Sequence, residues 1–170
     1  LLVTGLGSPT YDAAAVEDHD ANFYLWGAMG GAAVMGLGLA LAQPEKPVLV
    51  LTGDGEQLMG LGSFATIAVK QPPNLSVVVL DNGHYGETGM QTSHTGYGLK
   101  LSEVASACGW PESDEIEDMT GVEQLRNKIH GNQPGPRFAC IRISADSPDR
   151  VLPTRDGVRL KNRLRDHLNL

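Results

Sequence analysis

With 170 residues, the chain has the length of one globular domain and can bury a sizeable hydrophobic core. Apolar residues make up 41% of it and charged residues 19%, which is ordinary for a globular protein. The formal net charge of −7 argues against a nucleic-acid partner, and it requires local positive groups or a metal ion wherever an anionic substrate binds.

The cysteines and the apolar segments indicate a cytoplasmic protein. Cys108 and Cys140 stand in apolar surroundings without Cys-x-x-Cys spacing, which is typical of buried free thiols in a reducing compartment. Residues 27–42 form the longest apolar-leaning stretch, but they are rich in Gly and Ala and too short for a membrane span. We expect no secretory signal and no membrane partner.

The amino-terminal part predicts a strand, a glycine loop and a close-packing helix. Residues 1–4 read as a strand, and the loop 5–10 has the glycines and the hydroxyl of either a phosphate nest or an ordinary turn. Residues 11–22 are polar and predict irregular structure, and residues 23–26 predict a short strand. Residues 30–42 predict a helix whose small side chains permit very close packing.

The centre of the chain predicts two buried strands that are joined by one helix. Residues 47–52 form an apolar, β-branched run that stops at Gly53-Asp54-Gly55. Apolar residues then recur at helical spacing over 57–70. A second buried strand, 76–81, ends in Asn82-Gly83-His84. Ligands of open α/β sheets bind at the carboxyl ends of the strands, so we expect the two polar ends to share a site.

The side chains at these two strand ends suit a magnesium ion. Asp54 offers a carboxylate oxygen and Asn82 an amide oxygen, which are the hard ligands that Mg²⁺ takes when it clamps a diphosphate. Gly-Asp-Gly and Asp-Asn-Gly also favour plain turns, so composition alone leaves a turn and a metal site open.

The carboxyl-terminal part continues the alternation of helices and strands. Residues 92–100 form a polar loop that is long for a connection, as lids beside a site often are. Ser102 is predicted to cap a helix that runs to Cys108, and Thr120 opens a capping-box pattern for a helix that runs to Ile129. A short strand is predicted over 115–119 and a final strand over 137–143.

This alternation predicts an α/β fold, a parallel sheet that is flanked by helices on both faces. Residues 1–152 would form the domain, and residues 153–170 would add an amphipathic helical tail to it. No Gly-x-Gly-x-x-Gly fingerprint, P-loop or zinc spacing of histidines occurs in the sequence.

The spacing of the two central motifs resembles the cofactor-binding motif of thiamine diphosphate enzymes, which opens with Gly-Asp-Gly and closes with Asn-Asn. Residues 53–55 open it here, and Asp81-Asn82 closes it with Asp in the penultimate place. The stretches 55–67 and 80–91 (Leu-Asp-Asn-Gly-His-Tyr-Gly-Glu-Thr-Gly-Met-Gln) are most similar to sulfopyruvate and phosphonopyruvate decarboxylases. The chain as a whole resembles the β subunit of such a decarboxylase. The resemblance implies thiamine diphosphate and Mg²⁺ as cofactors.

The resemblance also implies which residues hold the metal and the diphosphate. Asp54, Asn82 and the backbone carbonyl of His84 would ligate the metal. Gly55 and Glu56 would contact the diphosphate or the pyrimidine through backbone groups at the start of a helix.

Further contacts are implied at the amino-terminal loops. Ser8 would touch the diphosphate, the Gly27 carbonyl would accept from the 4′-amino group, and Met29 would bend the cofactor unless it simply packs in the core. Many members of the decarboxylase branch carry Ser-Arg where this chain has Ser8-Pro9, so the substrate side chain stays open. The loop 92–100 would lie near the substrate, with the role of His94 undecided.

The activating glutamate is missing from this set. In the superfamily it belongs to a separate pyrimidine domain, whereas Glu17, Glu56 and Glu87 do not lie in such a domain. The resemblance therefore implies no catalytic residue in this chain. The chain would be the small, β-type subunit of a thiamine diphosphate- and Mg-dependent 2-oxo acid decarboxylase. A pyrimidine-domain, α-type partner would supply the glutamate, in a hetero-oligomer with at least two copies of each subunit.

Two other functions share this pattern. An acetolactate synthase-type carboligase uses every one of the cofactor motifs, and a non-catalytic subunit could keep the sheet without binding the cofactor. The decarboxylase, the carboligase and the non-catalytic subunit differ in their products and in cofactor binding.

Overall fold

Six strands form one parallel sheet in the order β2-β1-β3-β4-β8-β7 within residues 1–131, 134–146 and 148–170, which the structure, a computed structural model, describes. A separate antiparallel pair, β5 and β6, follows the fourth strand along the chain. The strands are β1 (Leu2–Thr4), β2 (Asn22–Tyr24), β3 (Val48–Gly53), β4 (Leu75–Asp81), β5 (His84–Tyr85), β6 (Gln91–Thr92), β7 (Glu112–Ile116) and β8 (Arg137–Arg142).

Helices connect the strands and cover the sheet, which confirms the predicted α/β fold. They are α1 (Ser8–Val16), α2 (Ala32–Ala42), α3 (Asp54–Met59), α4 (Ser63–Lys70), α5 (Leu101–Ala107), α6 (Met119–His130) and α7 (Gly157–His167). None of the helices in the described ranges combines the length and the apolar character that crossing a bilayer requires.

The hydrophobic core has two parts because successive side chains of a strand point to opposite faces of a sheet. Val77 and Val79 of β4 belong to the larger cluster, which also holds Leu37, Phe64 and Leu101 of the helices α2, α4 and α5. Val78, between the two valines, belongs to the smaller cluster, which is closed by Leu125 of α6. The almost completely buried β4 therefore needs apolar side chains on both faces, as its valines show.

The prediction of irregular structure over residues 11–22 is wrong for its first part. Helix α1 begins at Ser8 and ends at Val16, with Pro9 in its first turn. Proline is favoured there because its fixed φ suits a helix and its missing N–H is not needed. The alanines that follow are strong helix formers. Ser8 therefore lies at the start of a helix instead of in a loop.

The single helix predicted over 57–70 is two helices. Helix α3 ends at Met59 and α4 begins at Ser63, with glycines at 60 and 62 between them. A side chain at Gly60 would collide with the backbone carbonyl of Gly30. The break thus lets the loop before α2 lie directly against the end of α3.

Three local predictions in the carboxyl-terminal part were misplaced. Helix α5 begins one residue before Ser102, whose hydroxyl donates to Glu115 at 2.5 Å instead of capping the helix. The cap of α6 is Asp118, which accepts from the Gly121 N–H at 2.8 Å, so Thr120 lies inside the helix. Strand β7 accordingly ends at Ile116.

The tail helix α7 docks on the edge of the sheet. Leu160 and Leu164 are buried, and the Arg163 guanidinium donates to the Asn22 carbonyl at 2.8 Å and pairs with Asp18. Asp156 caps the helix by accepting from the N–H groups of Val158 and Arg159.

The predicted free thiols are present, and Cys140 is buried whereas Cys108 is partly exposed. Burial raises the pKa of the Cys140 thiol, and the charges of Glu115 and Asp81 raise it further, so this thiol is unreactive at neutral pH.

Two glycines of α2 offer a matched test of the close packing between this helix and the sheet. A Cβ at Gly36 would overlap a methyl group of Val50 in β3, whereas a Cβ at Gly38 would meet nothing within 4 Å. Gly36→Ala should lower the free energy of unfolding by about 1–3 kcal/mol through overpacking. Gly38→Ala should raise it by roughly 0.5–1 kcal/mol because alanine is the better helix former. Urea unfolding of both variants measures the difference, and equal effects would contradict the packing described here.

Candidate functional site

A cleft of about 140 Å³ opens where β3 and β4 end. All the predicted site residues except Gly27 line it. They come from four parts of the chain, namely the start of α1, the loop before α2, the start of α3 and the turn after β4. The two strand ends that were expected to share a site, Asp54 and Asn82, therefore do so, while the roles of all these residues toward a cofactor stay predictions.

Asp54 lies at the floor of the cleft, where β3 ends and α3 begins, and its side chain is buried. The hydroxyl of Ser93 donates to Asp54 Oδ2, and Thr95 Oγ1 lies 3.1 Å from the same oxygen. Behind it, Asp81 is equally buried, and its Oδ1 lies 2.7 Å from Thr95 Oγ1. One threonine oxygen thus bridges two buried carboxylates.

The protons available to the two carboxylates are unevenly shared. Each hydroxyl carries a single proton, so that of Thr95 is shared in a bifurcated hydrogen bond, with the shorter contact to Asp81 at 2.7 Å and the longer one to Asp54 at 3.1 Å, whereas that of Ser93 goes to Asp54. Asp81 also accepts from the Gly83 N–H at 2.9 Å and from the Arg142 guanidinium at 2.6 Å. Asp81 is therefore neutralised by an ion pair.

Asp54 has no such counter-charge. Among the residues that the structure describes, no Lys, Arg or His lies within ion-pair distance of its carboxylate. Burial raises the pKa of Asp54, the hydrogen bonds from Ser93 and Thr95 oppose this rise, and the negative charge of Asp81 adds to it. The floor of the cleft is consequently a buried negative charge that lacks a cation.

Asn82 and His84 form a tight turn directly above Asp81. The amide oxygen of Asn82 accepts from the His84 N–H at 2.9 Å, and the His84 ring donates from Nδ1 to the Asn82 carbonyl at 2.8 Å. This turn fixes the amide oxygen of Asn82, which retains a second lone pair, at the edge of the cleft.

Glu56 turns its carboxylate away from the cleft and into the protein. Its Oε2 accepts from the Leu6 N–H at 2.8 Å and its Oε1 from the Ala32 N–H at 3.3 Å. Burial raises the pKa of Glu56, and these backbone hydrogen bonds oppose the rise. Glu56 thus ties the loop after β1 to the start of α2, so only its backbone is left for the predicted cofactor contact.

Met29 lies on the cleft wall with 39% of its surface exposed, which argues against the plain core packing that the sequence left open. Gly27 has a φ of 72°, a left-handed conformation that suits glycine. It lies outside the residues that line the cleft, so the structure does not bring it together with the others.

Several residues of the site carried no signal in the sequence. The Tyr85 ring packs over Gly55, where a Cβ would come within 2.6 Å of it. The loop 92–100 was predicted to lie near the substrate, yet Ser93 and Thr95 at its start are buried beneath Asp54. His94 is exposed, and its Nδ1 lies 3.4 Å from the Tyr85 hydroxyl. A Ser-His-Thr sequence in a polar loop is too common to predict such contacts.

A second group of potential ligands lies close by. One ligand atom each from Asp81, Glu115 and Cys140 falls within a 4.8 Å cluster. Arg142 already neutralises Asp81, and Glu115 is exposed, so that water solvates its charge. This group therefore lacks the unbalanced charge that distinguishes Asp54.

This chain is similar to known proteins in both sequence and fold. The β subunit of sulfopyruvate decarboxylase from Methanocaldococcus jannaschii is 45% identical over 109 residues, which are 64% of this chain and 57% of that protein. The corresponding subunit from Methanothermobacter thermautotrophicus is 36% identical over 149 residues, or 88% of this chain and 76% of that protein. A phosphonopyruvate decarboxylase from Streptomyces viridochromogenes is 44% identical over 150 residues, or 87% of this chain and 36% of that protein.

The chain thus spans between 36% and 76% of the length of these relatives. Among solved structures, the 2-oxoglutarate:ferredoxin oxidoreductase from Magnetococcus marinus superposes with a TM-score of 0.67 at 21% identity, over 93% of this chain and 58% of that one. At that identity, the likeness shows the fold alone.

The family described as thiamine pyrophosphate enzyme, C-terminal TPP binding domain, matches residues 6–143. This match and the relatives confirm the family that the Gly-Asp-Gly and Asp-Asn motifs predicted. The chain belongs to the thiamine pyrophosphate enzymes and contains their TPP-binding domain.

Proposed function

We propose that this chain is the small, β-type subunit of a 2-oxo acid decarboxylase that uses thiamine diphosphate and Mg²⁺, of the sulfopyruvate and phosphonopyruvate type. The relatives described above support the reaction class. The observation that carries the cofactor assignment is the buried carboxylate of Asp54 at the floor of a cleft, without a counter-charge among the described residues. Residues 1–152 form the cofactor-binding domain in this proposal, and residues 153–170 are its helical tail.

The charge of Asp54 is the reason to place a divalent cation in the cleft. A buried carboxylate is costly unless it is paired or ligates a metal. Asp54, the amide oxygen of Asn82 and the backbone carbonyl of His84 make a donor set of hard oxygens, which is what Mg²⁺ prefers. The residues present therefore fit the metal that the family uses.

The diphosphate would lie between this cation and the start of α1. Leu6, Gly7 and Ser8 line the cleft, and the first turn of a helix has backbone N–H groups that are free to bind phosphate. Ser8 adds a hydroxyl donor, and Gly55 lets its backbone approach closely. Gly27 and Met29 would hold and bend the pyrimidine end.

Thiamine diphosphate, when bound, supplies the electron sink for cleavage of the carbon–carbon bond of a 2-oxo acid. The residues of this chain bind it, orient it and shield one side of it from water. The carboxylates of the cleft are otherwise engaged, since Asp54 accepts from Ser93 and Glu56 from two backbone N–H groups. Glu87 at the mouth pairs with Arg150 at 3.5 Å. The glutamate that activates the pyrimidine would therefore come from an α-type, pyrimidine-domain partner, in an oligomer with at least two copies of each subunit.

Reconstitution tests this function. The chain and its pyrimidine-domain partner are mixed with thiamine diphosphate, Mg²⁺ and sulfopyruvate, phosphonopyruvate or pyruvate, and CO₂ and aldehyde are measured. We expect turnover only when both proteins are present, and Asp54→Ala should lower it by about 100-fold or more because the metal loses a ligand.

Other results would overturn this proposal in identifiable ways. Turnover by the chain alone would contradict the shared site, and an acyl-transfer product in place of aldehyde would indicate a carboligase. Failure of the complex to bind thiamine diphosphate with Mg²⁺ would indicate a non-catalytic subunit.

The raised pKa of Asp54 predicts a pH-dependent gain in stability when its charge is removed. The folded pKa lies above the unfolded value, so Asp54 contributes stability that is present at low pH and is lost as the pH rises through the folded pKa. Without metal, Asp54→Asn should be about 1–3 kcal/mol more stable than wild type at neutral pH, and the gain should vanish below about pH 4.

Urea unfolding over this pH range measures the difference. Asp166→Asn on the exposed surface of α7 is the matched control, and it should leave the free energy of unfolding nearly unchanged at every pH. A variant at Asp54 that is less stable than wild type at neutral pH would contradict the absence of a counter-charge.

A further inference from the structure

Two hydroxyl groups reach the floor of the cleft from outside both cofactor motifs. Ser93 and Thr95 follow β6, and both side chains are buried although the loop around them is polar. The Ser93 N–H donates to the Gly83 carbonyl at 2.8 Å, which ties this loop to the turn that holds Asn82. A side chain at Gly96 would overlap the same carbonyl, so the loop lies directly against the turn.

The hydroxyls fix one oxygen of Asp54 and leave the other available. Ser93 donates to Oδ2, and Thr95 stands 3.1 Å from that oxygen. No side chain in the described ranges donates a hydrogen bond to Oδ1 of Asp54. Rotation of the carboxylate would break these contacts in a buried place, where an unmade hydrogen bond costs the most.

Thr95 is in turn held from behind by a rigid group. Its hydroxyl donates to Asp81 Oδ1, and Asp81 is fixed by the Gly83 N–H and by Arg142. The sequence Arg142, Asp81, Thr95, Asp54 is thus a continuous chain of contacts from the end of β8 to the cleft. Neutral donors hold Asp54 in place without cancelling its charge, which a lysine or an arginine at either position would do.

We infer that Ser93 and Thr95 are positioning residues of the cation site, which hold Asp54 so that its free oxygen faces a divalent cation and which thereby set the affinity for that cation. The inference rests on the proposed function, because it requires a cation in the cleft. It also couples the loop after β6 to the metal. Because the metal affinity depends on the contacts of this loop with Asp54, metal binding must stabilise the loop in return.

The test compares two substitutions of Thr95 in the complex of the full chain with its partner. Thr95→Val removes the hydroxyl and keeps the shape, whereas Thr95→Ser keeps the hydroxyl. Mn²⁺ binding is followed by electron paramagnetic resonance with excess thiamine diphosphate. Thr95→Val should raise the half-saturating Mn²⁺ concentration by about 10–100-fold, as loss of an outer hydrogen bond to a metal ligand does. Thr95→Ser should remain close to wild type.

Activity supplies a second readout that a merely structural role would not produce. At saturating metal, the turnover of Thr95→Val should recover to within about 3-fold of wild type, because Thr95 contacts the ligand Asp54 and not the substrate. Ser93→Ala is measured in parallel and should weaken Mn²⁺ binding in the same way, so a folding defect in one variant still leaves the other to decide. Thr120→Val, on the exposed side of α6, is the control.

The outcomes separate this inference from the function on which it rests. Wild-type Mn²⁺ affinity in both Thr95→Val and Ser93→Ala would overturn the positioning role and leave the proposed function intact. Absence of Mn²⁺ binding by the wild-type complex would overturn the proposed function and the inference together.

Discussion

The carboxylate of Asp54 is removed from water at the end of a central strand, a few ångströms from the second buried carboxylate of Asp81, with which it shares a threonine hydroxyl. Placing two negative charges in such surroundings costs several kcal/mol unless cations offset them. Within the described ranges one cation, Arg142, lies at these carboxylates, and it pairs with Asp81. The remaining charge, that of Asp54, is the one that the proposed divalent metal would balance.

The rest of the fold serves to hold this charge and its surroundings still. Parallel strands β3 and β4 bring Asp54 and Asn82 to one edge of the sheet. Glu56, two residues after Asp54, accepts hydrogen bonds from the loop after β1 and from the start of α2. Its carboxylate therefore connects two segments that lie on either side of the cleft. The contact between Gly30 and Gly60 brings the opposite wall close. The function proposed for this edge would thus be obtained at the expense of stability, since an uncharged residue in the place of Asp54 should suit the isolated chain better.

The sequence predicted those parts of the molecule whose cause is local. The β-branched runs of β3 and β4 identify buried strands by themselves, and the rule that ligands bind at strand ends then places Asp54 and Asn82 together. The fold class follows from the alternation of strands and helices. The thiamine diphosphate family was predicted from the resemblance of two spaced motifs to that family, and the comparisons confirm it.

The parts that could not be predicted depend on contacts between distant residues or on competition between local signals. Ser93 and Thr95 lie 39 and 41 positions from Asp54 in the sequence. The composition of a polar loop does not indicate which of its hydroxyl groups will be buried. Glu56 was predicted to contact the cofactor through its backbone, and the use of its side chain to join Leu6 and Ala32 could not be foreseen. The cap of α6 was assigned to Thr120 because Thr120-Gly-Val-Glu123 fits the capping-box pattern, whereas Asp118, two residues earlier, caps the helix. Helix α1 was missed because a proline was read as part of a loop when it marks a helix start.

Anomalous diffraction from crystals of this chain and its partner, grown with thiamine diphosphate and Mn²⁺, tests the central claim most directly. We expect a manganese peak bonded to the carboxylate of Asp54 and to the amide oxygen of Asn82, with the diphosphate on its far side. A peak that lies elsewhere, or a bound cofactor whose diphosphate reaches the protein without a metal at Asp54, would contradict it.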